Sequence, residues 1–97
     1  METFAIFRRN LATTDDIEEV DRRSQAELDR RSDEVRKIRS YLFEEEDGSL
    51  GAICVYEAQS PEAVVSHGEC ADVKVDEVRR LTAIDVHRPD PTTLTAG

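Results

Sequence analysis

Tryptophan is absent, only five of the 97 residues are aromatic, and only two are cysteine. The aromatics are Phe4, Phe7, Tyr41, Phe43 and Tyr56. So few large rings limit the core, and a chain of this length has room for one small domain. Cys54 and Cys70 do not make a disulfide framework. No apolar run approaches the ~20 residues of a membrane span, and no secretory signal is visible, since Arg8 and Arg9 end the first apolar run. The chain therefore reads as cytoplasmic, with reduced thiols. Basic charge is also in deficit. Thirteen Lys and Arg face 22 Asp and Glu, for a formal net charge of −9. Phosphate backbones require a basic footprint, so the balance argues against nucleic acid as a partner. Catalytic signatures are missing as well. There is no nucleophile elbow, no glycine-rich phosphate loop and no His-Glu-x-x-His, and an enzyme is the less supported reading.

What is present reads as alternating strands and helices. Thr3 to Arg9 is apolar on both faces, with Phe4 and Ile6 on one and Ala5 and Phe7 on the other, which suits a central strand. Thr13 to Arg31 reads as a helix. Asp15 and Glu18 stand as a capping box, and Ile17, Val20, Ser24 and Leu28 share a narrow face. Arg22, Arg23, Arg30, Arg31, Arg36, Lys37 and Arg39 lie close together. Acidic neighbours at helical spacing, each pair worth ~0.3 kcal/mol, make this a solvated ion-pair surface rather than an RNA patch. Val35 to Glu44, in which Ile38, Ser40 and Leu42 alternate with Lys37, Arg39, Tyr41 and Phe43, and Leu50 to Ala58 form a hairpin around Asp47-Gly48. Ser60 is an N-cap and Pro61 suits the first position of a second helix, Pro61 to Ala71. Glu77 to Val86 reads as a fourth strand. Residues 88–97 lack periodicity and read as a tail on a domain of residues 1–87.

The order β-α-β-β-α-β is the ferredoxin-like pattern, an α+β fold with a four-stranded antiparallel sheet and two helices on one face. Neither sheet face is wholly polar, so a homodimer built as an α/β barrel is expected.

Candidate chemistry is concentrated in two neighbouring elements. Cys54 and Tyr56 share one face of the third strand. His67 and Cys70 are three apart on the second helix and are therefore neighbours, with His67 expected on the flank of the buried stripe and Cys70 farther out. Imidazole and thiolate are ligands for nickel, zinc or copper, and Cys54, a carboxylate such as Glu62 or Glu69, or a second chain would complete the set. Tyr41 and Tyr56, with His67, would line any cleft between sheet and helices. His87, next to the tail, reads as solvated. Gly68 stands in mid-helix, at a cost of ~1 kcal/mol relative to Ala.

The strings Ser40-Tyr41, Asp47-Gly48, Cys54-Val55-Tyr56-Glu57-Ala58, Ser60-Pro61-Glu62-Ala63 and Val75-Asp76-Glu77-Val78 resemble a small bacterial family. It was long catalogued as a domain of unknown function, and some actinobacterial members are nickel-responsive or nickel-binding. The resemblance spans Phe4 to Val86. It implies a ferredoxin-like fold, a dimer and a divalent transition metal such as nickel, with no organic cofactor. A cofactor-independent small-molecule enzyme of the monooxygenase type, and a protein-interaction module without ligand, are the alternatives.

Overall fold

In a computed structural model, residues 1–92 are described. The elements are β1 (Glu2–Ala12), α1 (Ile17–Arg30), β2 (Val35–Glu44), β3 (Leu50–Ala58), α2 (Pro61–Ala71) and β4 (Glu77–Arg80). The four strands form one sheet in the order β2-β3-β1-β4, with every neighbouring pair antiparallel. Phe4 and Ile6 of β1 and Cys54 and Tyr56 of β3 are cross-strand partners. They share one core with Leu28 of α1 and Val64 of α2, so both helices cover the same face of the sheet. This is the ferredoxin-like arrangement, and β1 is the central strand that its two-sided apolar pattern requires. No helix among the described residues is long and apolar enough to cross a membrane.

Local chemistry explains most of the joints. Ser60 Oγ accepts from Ala63 N–H at 3.2 Å, and Pro61 takes the first helical position of α2. That helix closes on Asp72 in the left-handed region (φ 55°), and Val73 N–H turns back to the carbonyl of Gly68. The mid-helix glycine has a packing reason. A Cβ at Gly68 would lie 2.7 Å from Val75 Cγ2 and 3.0 Å from the Val73 carbonyl oxygen. In the hairpin, Gly48 has φ 86° and the Asp47 carboxylate accepts from Ser49 N–H and Oγ.

Three expectations are corrected. The α1 capping box does not form. Asp16 is the N-cap and makes no side-chain cap bond, and the Thr13 carbonyl accepts from both Asp16 and Ile17 N–H instead. Second, β4 stops at Arg80 rather than Val86. Its register against β1 pairs Phe4 with Arg80, and β1 starts at Glu2, so residues 83–86 have no strand to join. Ile84 and Val86 stand exposed. Third, β2 carries an irregularity between Lys37 and Arg39, whose partners on β3 are the consecutive residues Tyr56 and Val55. Ile38 is the extra residue, and side-chain alternation changes phase across it.

The chain after β4 reaches the opposite edge of the sheet. Asp90 accepts hydrogen bonds from Arg39 Nη1 and Tyr41 Oη of β2, both at 2.7 Å. Part of the stretch read as a tail is thereby tied to the sheet, and residues 93–97 lie outside the described residues.

Candidate functional site

A cleft of about 350 Å³ lies between the sheet and the N-terminal half of α1. Its existence follows from side-chain size. The sheet contributes Ala52, Cys54 and Ser40, and the facing helix contributes Ser24, all small. Larger residues there would close the interface at the density usual for protein interiors. Val20 and Val73 make the remaining wall apolar, and the mouth opens beside Ser40 and Leu42 of β2, both exposed.

Cys54 is buried, faces the helices and accepts from Ser40 Oγ at 3.2 Å. Tyr56 is 1% exposed, and its hydroxyl accepts from Arg8 Nη2 at 3.4 Å. Arg8 is itself 1% exposed. Its Nη1 donates to the Lys74 carbonyl at 2.7 Å, and its guanidinium carbon lies 5.9 Å from the centre of the Tyr56 ring. Arg8 reaches this position because it follows Phe4 and Ile6 on the core-facing side of β1. Lys37 lines the same cleft and pairs with Asp21 of α1 at 3.3 Å.

His67 lies deeper than the expected flank position, at 0% exposure. Its Nε2 is 3.1 Å from the Ser24 carbonyl and 3.4 Å from Ser24 Oγ, and its ring meets the edge of Tyr56 at 5.6 Å between centroids. A carbonyl only accepts, so Nε2 carries a proton. Nδ1 is buried without a partner. Protonating it would bury an unpaired N–H and a charge. Burial accordingly holds the imidazole below its ordinary range, against the raising effect of the Ser24 carbonyl and with help from the fields of Arg8, Arg31 and Lys37.

The sequence-predicted residues do not converge. Cys70 is exposed and accepts from Arg31 Nη2 at 2.9 Å, whereas His67 on the same helix points into the core. Tyr41 is on the other face of the sheet from Tyr56. It pairs with Ile53, and its hydroxyl donates to Asp90. Only Cys54 and Tyr56 of the expected set line the cleft. Among the described residues no three His, Cys, Asp or Glu side chains are grouped to hold a metal ion. His67, Cys54 and Cys70 of one chain therefore do not fit a metal centre as they stand. His87 is exposed, as expected, and lies 3.1 Å from Asp85.

Arg8 and Lys37 are the two functional candidates that sequence reasoning missed. Arg8 was legible, since alternation from Phe4 and Ile6 sends it inward. Lys37 was hidden by the extra residue at Ile38.

Comparison with known proteins points to a family. Residues 5–81 match the family profile described as nickel responsive protein SCO4226-like. The crystal structure of SCO4226 from Streptomyces coelicolor A3(2) superposes with a TM-score of 0.64 at 22% identity, covering 86% of this chain and 99% of that one. Rv0793 from Mycobacterium tuberculosis is a more distant likeness, with a TM-score of 0.39 at 17% identity over 89% of this chain and 99% of that one. No curated protein matches the chain.

Proposed function

The chain belongs to the SCO4226-like family, and we propose that it is a small-ligand-binding protein whose site is the cleft between α1 and the sheet. The observation that carries this reading is a cleft of about 350 Å³ in which Arg8, Cys54 and Tyr56 meet. Its size falls at the lower end of the ~300–1,000 Å³ range of small-molecule sites, and its apolar walls with a few polar groups fit that class. The cleft's chemistry is that of binding. His67 has its Nε2 engaged and its Nδ1 sealed, so it presents no free base to a bound molecule. A screen of small compounds by protein-observed NMR tests the reading. Hits should perturb the amides of Cys54 and Tyr56 and be lost in Ala52→Ile, which fills the floor. Hits confined to the open face of the sheet would contradict it.

The family description favours a second reading, a response to nickel or another divalent transition metal. Because the donors of one chain stand apart, the ligand set would be completed by a second copy, with the exposed Cys70 as the contributing thiol. Calorimetric titration of Ni²⁺ into reduced protein should then give binding tighter than about millimolar, weakened at least several-fold in Cys70→Ser. Absence of binding, or no change in that variant, would remove this reading. A homodimer in the cytosol, formed through the sheet face that the helices leave open, is proposed separately, since Cys70 lies on the helix-covered side and a metal bridged through it would join copies outside that interface.

A further inference from the structure

The Arg8 guanidinium is buried, and no described residue supplies it a counter-ion. Neighbouring cations have carboxylate partners: Arg9 takes Glu45, Lys37 takes Asp21 and Lys74 takes Asp76. Among the described residues Arg8 has no carboxylate within 4.0 Å, and its acceptors there are one carbonyl and one phenol oxygen. A guanidinium has five N–H donors, and burying its charge unpaired is expensive. Tyr56 contributes to the same deficit. Its oxygen accepts from Arg8, and among the described residues its own O–H has no acceptor. Both groups line the cleft, and Ser40 Oγ stands at its mouth.

We propose that the cleft takes a small organic monoanion, a carboxylate with a compact apolar body, whose head group receives hydrogen bonds from Arg8 and Tyr56. A guanidinium fork matches a carboxylate, and such charge-assisted bonds are about twice as strong as neutral ones. The apolar wall, Val20 and Val73 included, suits the body of the molecule. The charge inventory selects one negative charge rather than several. Lys37 is already neutralised by Asp21, Glu18 adds a further carboxylate to the lining, and the chain carries a net charge of −9. A nucleotide or polyphosphate would meet that field with Arg8 as the one unpaired cation among the described lining residues, in a cleft of about 350 Å³.

The proposal rests on the cleft being the binding site, and the test separates the two. Phenylpropionate and its neutral isostere phenylpropionamide are titrated into the full chain and followed by NMR at the Cys54 and Tyr56 amides. The carboxylate is expected to bind at least about tenfold tighter than the amide, the effect of one charge-assisted pair. Arg8→Gln should erase that preference and Arg8→Lys should retain part of it. Equal binding of both compounds in the cleft overturns the anion inference and leaves the cleft reading standing. No perturbation of the cleft by either overturns both. Should Arg8→Gln fail to fold, the comparison of the two compounds on the unmodified protein still decides the matter.

Discussion

His67 and Gly68 stand side by side on α2, and each is explained by what it touches. The neutral His67 ring contributes to a pH dependence whose sign is fixed. Its folded pKa is lowered, so the unfolded chain binds the extra proton more readily and stability rises with pH across that interval. Stability should therefore be full above about 6.5, the unfolded value, and decline as pH falls from there through the lowered folded value. Urea unfolding at pH 7 and at pH 5.5 should show this loss, and His67→Gln should flatten it. The carboxylates of Glu19 and Glu45, held low chiefly by hydrogen bonds from Arg22 and Arg9, add their own loss only below their ordinary value of 4.5. At Gly68 two effects compete. Alanine would gain about 1 kcal/mol in helix propensity, but its Cβ would meet Val75 and the Val73 carbonyl inside contact distance. Overpacking of this kind costs about 1–3 kcal/mol, so Gly68→Ala should lower stability in the same urea assay. The sequence flagged Gly68 as a cost and could not show its reason, because Val75 approaches only once α2 has turned at Asp72. Arg8 is the opposite case, since its inward position follows from the alternation of β1 through Phe4 and Ile6.

At the scale of elements, β2, β3 and α2 have the limits that turn chemistry predicts. Asp47-Gly48 and Ser60-Pro61 are local signals, and local signals survive folding intact. The misses are non-local. The end of β4 is set by where β1 begins, and the phase of β2 by one extra residue facing β3. Neither is written in the strand concerned. The Arg-rich stretch is largely the exposed ion-pair surface expected, and two of its members also tie α1 to α2. Arg23 donates to the carbonyls of Ala71 and Asp72 at the end of α2, where the helix dipole favours a cation. Arg31 donates to Ser66 and Cys70 and pairs with Glu27. Arg23→Ala should therefore destabilise α2 relative to the sheet, seen as faster hydrogen exchange at its last turn. At the C-terminal side, Asp90 ties to Arg39 and Tyr41 through exposed groups. Exposed ion pairs contribute little. We place the domain boundary after His87 on this ground, and removal of residues 88–97 should leave the thermal unfolding curve nearly superimposable on that of the full chain.

At the scale of the whole molecule, the two faces of the sheet are unequal. The helix-covered face holds the core and the cleft, while the other carries Tyr41 with the strap that ends at Asp90. Fold and family could be read from the chain because periodicity and turn residues act at short range. The site could not, because it depends on how small side chains from α1, β2 and β3 face one another, leaving a cleft around Arg8, which no carboxylate of the described residues neutralises. The most direct test of the account is the NMR titration of phenylpropionate into the full chain. The account predicts saturable shifts at Cys54 and Tyr56 that phenylpropionamide reproduces only at about tenfold higher concentration. Shifts absent from those residues across the whole titration would contradict it.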